Sequence, residues 1–229
     1  MDRSYYLNLA STGLSMPIGA DLILHEKSDA ENILLDGRLL GEILEETAKR
    51  FSTPLAVPHM NLELEKKALL GMIGIPEEKV SKYHFSSAID EVVINRVNEE
   101  LAKPLIPEMQ AQVDAIKYIV ENTDLLPIGM SIGPFSLMTQ LVADPITPVC
   151  MAGAGLCAED DEEIQLVESV LELGMQIILH NIEKQIEAGA KAIFIAEPAA
   201  NKVYFSPNQL ESGSDIFERY VIAYNQRIK

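Results

Sequence analysis

The stretch EAGAKAIFIAEPAANKVYFSP, residues 187–207, contains the pattern that decides the fold. It reads as the end of a helix, then the apolar run AIFIA at 192–196, then Glu197-Pro198 where a strand would stop. A strand that is apolar on both faces is typical of a parallel sheet covered by helices. Ligands of parallel α/β folds bind at the carboxyl ends of the strands, so Glu197 is the first candidate functional residue. The alternative is a solvated loop residue or a cap for the next element.

The segment before this stretch predicts a long helix. Asp160 and Asp161 are in position to cap its N-terminus, and apolar residues recur at helical spacing from Ile164 to Ile186. Gly189 is well placed for the C-terminal cap. A helix followed by a short apolar strand predicts a βα unit, and therefore a parallel sheet.

Two further strands are predicted upstream. Residues 125–137 indicate a buried strand followed by a Gly133-Pro134 turn, and residues 53–61 indicate a short strand that ends in a loop. Residues 144–158 are rich in small side chains, and their pattern leaves the structure open. The remaining sequence predicts an irregular stretch at 11–37 and helices at the start of the chain and at 38–51, 62–75, 89–101, 107–121 and 214–229.

Composition and length suit one α/β barrel. The chain has 229 residues, of which 48% are hydrophobic and 23% charged, and about 250 residues is typical of such a barrel. No apolar run approaches the ~20 residues that span a bilayer, so we expect no membrane partner. The N-terminus lacks the pattern of a secretory signal. Two cysteines are too few for a disulfide scaffold, and we expect reduced thiols and a cytoplasmic protein.

The formal net charge is −17. A nucleic-acid-binding protein usually carries a basic face, and the basic residues of this chain are scattered among many more acidic ones. We therefore expect no nucleic-acid partner.

Polar and turn-forming residues also follow the other two predicted strands. This shared position makes them candidates for substrate binding, although each could simply form a turn. The candidates are His59, Asn61, Ser131, Gly133, Pro134 and Ser136.

The two cysteines, Cys150 and Cys157, favour a structural interpretation. Neither has a histidine or further cysteine at the spacing of a zinc site. The sequence also lacks a phosphate loop, a dinucleotide fingerprint and a nucleophile elbow. The residues alone therefore indicate an α/β enzyme without naming its substrate.

Three segments of the sequence resemble the uroporphyrinogen decarboxylase superfamily. They are GPFSLMTQL at 133–141, QIEAGAKAIFIAEPAA at 185–200, and FSPNQL with FERYVIAYNQRI between 205 and 228. The resemblance implies a (β/α)8 TIM barrel. It also implies a single domain over 1–229, with a divergent N-terminal segment at 1–50 and the first part of the barrel at 51–229.

The superfamily has two main branches, and this chain departs from one of them. The decarboxylases carry an arginine-rich segment near the N-terminus that binds the carboxylates of uroporphyrinogen, whereas this region has only Arg3 and Arg38. Asn61 stands where the decarboxylases carry an aspartate that gathers pyrrole N–H groups. Glu197-Pro198 resembles the corrinoid methyltransferase branch. The resemblance therefore implies transfer of a methyl group between a corrinoid (methylcobamide) and a thiol or tetrahydrofolate acceptor.

In this branch Glu197 would act at the barrel mouth as a polar contact or proton relay. Zinc is expected only in a full-length form, since the family's zinc ligands lie beyond the position of Lys229. The barrel is expected to be incomplete at its C-terminus, which implies a completing partner chain or a homo-oligomer. The expected partners are a corrinoid protein or free methylcobamide.

Two alternatives stay open on this evidence. One is uroporphyrinogen III decarboxylase itself, an enzyme of porphyrin biosynthesis. The other is a non-catalytic truncated barrel that binds a corrinoid protein or a partner chain.

Overall fold

The computed structural model describes residues 3–13 and 19–229 of the chain. Helices alternate with three short strands along the sequence. The strands are β1 (Leu55–Ala56), β2 (Leu126–Ile132) and β3 (Ala192–Ala196). The helices before β2 are α1 (Arg3–Ser11), α2 (Ala20–His25), α3 (Ala30–Ile33), α4 (Gly37–Arg50), α5 (Leu64–Met72), α6 (Glu77–Val80), α7 (Glu91–Leu101) and α8 (Pro107–Asn122). The later ones are α9 (Pro134–Leu141), α10 (Ile146–Gly153), α11 (Glu162–Glu187), α12 (Pro207–Glu211) and α13 (Ala223–Ile228), with a π-helical turn, Glu218–Ile222, before α13.

The strands form one parallel sheet in the order β1-β2-β3. Leu55 pairs with Leu126 in register. The Lys191 N–H donates to the Pro127 carbonyl at 2.9 Å, and the Gly133 N–H donates to the Ala196 carbonyl at 2.7 Å. The predicted α/β class with parallel strands is confirmed. The helices expected at 38–51, 62–75, 89–101 and 107–121 are confirmed as α4, α5, α7 and α8.

The irregular stretch predicted at 11–37 is partly wrong. It contains the short helices α2 and α3, while residues 14–18 of that stretch lie outside the described residues. Helix α2 buries Ile23 and Leu24 in a cluster that also includes Leu40 of α4. A one-turn helix carries too few residues for a periodic pattern, so packing rather than local sequence forms it.

The structure resolves one segment that the sequence left open and modifies another. The ambiguous residues 144–158 contain α10. The final helix, expected from 214 to 229, begins at Ile216, passes through the π-helical turn and continues as α13. A π turn inserts one extra residue, and period-based reasoning assumes a uniform 3.6-residue repeat.

The capping prediction for α11 is right for one aspartate and wrong for the other. Asp161 accepts from the N–H groups of Glu163 and Ile164 at 2.9 and 3.0 Å. Asp160 instead accepts from the N–H and Sγ of Cys157. Gly189 after the helix has φ +106, a left-handed conformation that glycine tolerates and that ends helices.

The described residues form two compact units. Unit 1 comprises the described residues up to Asn61 together with Leu105–Met130 and Asn181–Phe194, and unit 2 comprises Leu62–Pro104, Ser131–His180 and Ile195–Lys229. The boundary passes through β2 and β3, so unit 2 contains the carboxyl ends of both strands. The prediction of a single domain over 1–229 stays a prediction.

The core of unit 1 lies between α4 and α8. Leu40, Ile43 and Leu44 of α4 form one cluster with Ala115 and Ile119 of α8. Burying such aliphatic side chains contributes about 1.5–3 kcal/mol each before the cost of chain entropy.

The side chain of Gln185 connects helix α11 to β2 within unit 1. The Gln185 amide accepts from the Met130 N–H at 2.7 Å and donates to the Met130 carbonyl at 2.8 Å. A Cβ on Gly129 would lie 2.6 Å from the Gln185 Oε1 atom. Glycine is therefore needed there so that the helix can approach the strand.

The core of unit 2 contains an aromatic cluster among its many aliphatic side chains. Phe135 of α9 stacks on Phe205 with ring centroids 4.7 Å apart, and Phe217 meets Phe205 edge-on. Offset and edge-to-face geometries of this kind suit the quadrupoles of aromatic rings. This packing holds α9 beside the segment before the π-helical turn.

Strand β3 is less covered than its sequence predicts. Ala192 to Ile195 are half-buried and only Ala196 is buried. β3 is an edge strand of the described sheet, so its outer side lacks the strand neighbour that covers β2.

Candidate active site

The carboxyl end of β2 lies in unit 2 and runs directly into α9. The six-residue segment Ser131–Ser136 covers this junction and contains four of the predicted site residues. Within the same unit, Glu197 follows β3, as its sequence position predicts. Two carboxylates bond to this segment, Glu197 on its later part and Glu65 on its earlier part.

Glu197 accepts hydrogen bonds at both carboxylate oxygens. Oε2 accepts from the Ser136 N–H at 2.8 Å and from the Ser136 hydroxyl at 2.6 Å. Oε1 accepts from the Phe135 N–H at 3.2 Å and from the Asn225 side-chain amide at 3.1 Å. The two N–H groups belong to the first turn of α9, where backbone donors lack helical partners and a negative charge is favoured. Glu197 is therefore an N-terminal cap for α9, supplied from a distant part of the chain.

Gly133 leaves room for this cap. A Cβ on Gly133 would lie 2.1 Å from the Glu197 Cδ atom, and its φ of −81 is open to any residue. The glycine is required by space and not by backbone conformation. Pro134 occupies the first position of α9, where its missing N–H costs no helical bond. The turn predicted at Gly133-Pro134 is thus the start of a helix.

Ser136 joins two parts of unit 2. Its hydroxyl donates to Glu197 and also accepts from the Ala199 N–H at 3.1 Å. The side chain is buried. The substrate-binding role of Ser136, Gly133 and Pro134 stays a prediction. In the structure these residues connect the end of β3 to α9.

Ser131 is bonded to a carboxylate that sequence reasoning missed. Its hydroxyl donates to Glu65 Oε1 at 2.7 Å, and the Ile132 N–H points to the same oxygen at 3.4 Å. Glu65 is only 2% exposed and Ser131 only 1%. A buried carboxylate of this kind is held by its hydrogen bonds. The sequence did contain a signal that Glu65 is buried. Glu65 lies one helical turn before Leu69, on the apolar face of α5.

Lys66, the next residue of α5, is also buried and donates to the Gln140 carbonyl at 2.8 Å. Burial lowers the pKa of its ammonium group, because the charged form loses water. The negative charge of Glu63, three residues earlier, partly opposes that lowering of the pKa.

Asn225 is the second residue that the sequence did not reveal. It lies in α13, after the π-helical turn, and its amide donates to Glu197 and to the Val221 carbonyl. An extra residue in a helix rotates all later side chains by about 100°. The π turn therefore sets which face of α13 presents Asn225 to Glu197.

Unit 1 contains the other two predicted site residues, His59 and Asn61, after β1. His59 Nε2 lies 2.8 Å from Asp21 Oδ1 of α2. The Asn61 N–H donates to the His59 carbonyl at 3.2 Å. Asp21 was not predicted, since nothing in the sequence links α2 to the end of β1. The binding roles of His59 and Asn61 stay predictions.

The cysteines are free thiols, with Cys150 exposed. Hydrogen bonds to Asp160 and then Glu159 raise the pKa of the Cys157 thiol to about 11. Because the thiolate is the nucleophile and the metal ligand, Cys157 is poorly suited to either role at neutral pH. Among the described residues, no group of three or more histidine, cysteine, aspartate or glutamate side chains could hold a metal ion.

The sequence profile of uroporphyrinogen decarboxylase (URO-D) matches residues 46–229. The chain belongs to this family. The family implies the TIM-barrel fold that the sequence predicted, and the described parallel strands with their helices agree with it. The further prediction of an incomplete barrel is untested.

A methyltransferase from Methanosarcina mazei has a similar structure, with a TM-score of 0.58 and 14% sequence identity. The similarity covers 93% of this chain and 58% of that protein. At this identity the likeness concerns the fold. No protein of curated function matches the sequence. In the described part of the chain, no helix is both long and apolar enough to cross a membrane.

Proposed function

We propose that this protein is a methyltransferase of the uroporphyrinogen decarboxylase family. It moves a methyl group from a corrinoid, as methylcobamide, to a thiol or tetrahydrofolate acceptor. The corrinoid is a co-substrate, either free or carried by a corrinoid protein.

The observation that carries this proposal is the placement of the arginines. A decarboxylase of this family must bind the several carboxylates of uroporphyrinogen, for which arginine forks are well suited. Apart from Arg3, every arginine of this chain already bonds to its own unit. The contacts are Arg38 with Glu42, Arg50 with Glu26 and Glu46, Arg96 with the Met72 carbonyl, Arg219 with Glu168, and Arg227 with Glu172. The acidic partners of four of these arginines compete with any polyanionic substrate.

The acidic character of the chain also favours a methyltransferase over a decarboxylase. A net charge of −17 repels a substrate that carries many carboxylates, whereas a thiol or a methyl donor is not selected by that charge. Likeness of fold to a protein named a methyltransferase also supports this branch.

Within this proposal, polar groups at the strand ends of each unit serve for binding. In unit 1 these are His59 and Asn61 after β1, and in unit 2 they belong to the segment Ser131–Ser136 after β2. Glu197 acts as a polar contact or a proton relay. A relay would pass through the Ser136 hydroxyl, whose 2.6 Å bond to Glu197 is the shortest that the carboxylate accepts.

Two further elements of the proposal concern assembly and metal. The half-buried outer strand β3 is the edge where a completing partner chain or a second copy would add. The described residues do not fit a zinc site, and the proposal assigns no step to zinc.

The test is an anaerobic incubation of the purified chain with methylcobalamin and 2-mercaptoethanesulfonate or tetrahydrofolate. We expect loss of the methylcobalamin absorbance together with the methylated acceptor, identified by mass spectrometry. A parallel incubation with uroporphyrinogen III provides the opposite test. Formation of coproporphyrinogen without methyl transfer would replace the proposal with the decarboxylase alternative. Neither product would favour the non-catalytic binding protein.

A further inference from the structure

A cavity of about 310 Å³ lies within unit 2, between the segment before α7 and the starts of α10 and α11. Its floor is apolar and is formed by the buried side chains of Phe85, Val142, Pro148 and Leu166. Small-molecule sites typically have about 300–1,000 Å³ and a mainly apolar lining. This cavity therefore suits a small ligand.

Hydrogen bonds to the backbone hold the walls of the cavity. The Phe85 N–H donates to the Leu141 carbonyl of α9 at 2.8 Å, and Phe85 forms an isolated parallel bridge with Val142. The Ile89 N–H donates to the Ser169 hydroxyl of α11 at 3.0 Å. The segment before α7 is thus tied to both α9 and α11.

The rim of the cavity carries His84, Asp144 and Glu163. Asp144 accepts from the N–H groups of Ile146 and Thr147 at 3.1 and 3.2 Å and from the Thr147 hydroxyl at 2.7 Å. The bond from the Thr147 hydroxyl, followed by that from the Thr147 N–H, lowers the pKa of Asp144. Asp144 is therefore ionised at neutral pH.

Glu163 and His84 keep polar atoms available to a ligand. Both residues are exposed. Among residues 3–13 and 19–229, no hydrogen bond or ion pair engages the Glu163 carboxylate or the His84 ring. A carboxylate accepts hydrogen bonds, and a neutral imidazole accepts through one nitrogen. A ligand with N–H donors would find acceptors on this rim.

The charges around the cavity favour a cation. The N-termini of α10 and α11 each contribute a partial charge of about +0.5, whereas Asp144 and Glu163 each contribute a full negative charge. No lysine or arginine of the described chain lines the cavity, so negative charge is in excess. The described residues include no group of three metal-ligating side chains that could hold a metal ion. An apolar floor below a negative rim therefore fits an organic cation.

We propose that this cavity binds a small organic cation, in which an ammonium group is attached to an aromatic or branched aliphatic body. The body packs on Phe85, Val142 and Leu166, and the ammonium group lies at the rim beside Glu163. Phe85 adds a further attraction, since aromatic rings attract cations. The cavity shares no residue with the candidate active site, and the inference does not depend on the proposed function.

The experiment compares three probes of similar shape and different charge, namely 2-phenylethylammonium, 2-phenylethanol and 3-phenylpropanoate. Each is titrated into the full 229-residue chain with ¹³C-labelled leucine methyl groups. The titrations are made at about pH 8, where an ordinary imidazole is neutral. The Leu166 signals are assigned by their loss in Leu166→Ile. The phenyl ring shifts the signals of methyl groups beside it, so the spectra report where the probe binds.

Three variants test the rim and the cavity. Glu163→Gln removes the unpaired carboxylate. Glu162→Gln is its matched control, because Glu162 is exposed in the same first turn of α11 and is not part of the cavity lining. Ala143→Leu places a larger side chain at the edge of the cavity, where Ala143 is exposed. Thermal unfolding followed by circular dichroism checks that each variant is folded.

We expect 2-phenylethylammonium to shift the Leu166 signals with a dissociation constant of about 1 mM, as suits a ligand of few atoms. The neutral probe should bind about tenfold more weakly, because it makes neither an ion pair nor a cation–π contact. The anionic probe should not bind measurably. Glu163→Gln should weaken binding of the cation about threefold. Glu162→Gln should leave that binding unchanged, and Ala143→Leu should abolish it.

Equal affinity for the ammonium and alcohol probes would overturn the proposal, because the cavity would then bind apolar ligands without regard to charge. Equal weakening by Glu162→Gln and Glu163→Gln would also overturn it, since the effect would follow net charge alone. So would binding that survives in Ala143→Leu. The absence of a Leu166 shift with the cation would have the same meaning.

Discussion

The ends of two strands show opposite ways of using a polar side chain. After β3, in unit 2, Glu197 accepts four hydrogen bonds from Phe135, Ser136 and Asn225. After β1, in unit 1, His59 Nε2 lies 2.8 Å from Oδ1 of Asp21, whose side chain is 43% exposed. Both residues occupy the position where parallel α/β folds bind ligands. Glu197 is held by several donors of its own unit, whereas the carboxylate beside His59 is largely open to solvent.

This difference determines how much each substitution is expected to cost in stability. Removing a group that satisfies buried donors costs the desolvation of every donor left behind, about 1–3 kcal/mol for each such site. Removing an exposed partner of a surface pair costs about 0–1 kcal/mol. Substitutions around Glu197 should therefore lower the free energy of unfolding more than a substitution at Asp21.

The largest expected effect is that of Gly133→Ala. The new methyl group would overlap the Glu197 Cδ atom at 2.1 Å, so the carboxylate must leave its donors or α9 must shift. We expect about 3–4 kcal/mol of lost unfolding free energy, from overpacking and lost hydrogen bonds together. Urea denaturation followed by circular dichroism measures it.

Gly71→Ala is the matched control for that substitution. Gly71 lies in α5, and a Cβ there meets no atom within 4 Å. Alanine in an exposed helical position is favoured over glycine by up to about 1 kcal/mol. Equal destabilisation by the two substitutions would contradict the close contact between Gly133 and Glu197.

Glu197→Ala should follow, at about 2–3 kcal/mol. It leaves two backbone N–H groups of α9 and the Ser136 hydroxyl without their acceptor. Glu211→Ala, on an exposed residue of α12, should stay within about 0.5 kcal/mol. If Glu197→Ala unfolds at the wild-type urea midpoint, capping of α9 by Glu197 contributes nothing to stability. That result would favour the catalytic interpretation of Glu197.

Ser131→Ala should cost about 1–2 kcal/mol. It removes a 2.7 Å hydrogen bond to Glu65 at a site where both side chains are buried, and bonds to a charged acceptor are worth more than neutral ones. Ser212→Ala serves as control, since Ser212 is exposed and donates only to a nearby carbonyl in its own turn. A stable Ser131→Ala protein would show that the buried carboxylate finds other donors.

The smallest effect on stability is expected at the end of β1. Asp21→Ala removes a partner that is 43% exposed, and it should change the unfolding free energy by at most about 1 kcal/mol. A loss of stability larger than that of Ser131→Ala would mean that the pair holds α2 in place. The exposure of Asp21 would then not limit its contribution to stability.

Local sequence patterns were sufficient for much of the fold. The apolar run at 192–196, the helical periodicity before it and Gly189 predicted a strand, a helix and its end, and all three are observed. Such patterns depend on neighbours a few residues apart, which is the range over which backbone propensity and amphipathicity act. The same logic failed at α2 and α3, which are too short to show a period.

By itself, the sequence determined that Glu197 and His59 would each follow a parallel strand, because strand ends are marked by apolar runs that stop. Only the tertiary structure decided which groups meet them. The Ser136 donor that satisfies Glu197 lies 61 residues away along the chain, and Asp21 reaches His59 from a helix that packing creates. Hydrogen bonds form between groups that packing brings within about 3 Å, and no local pattern records such a distance.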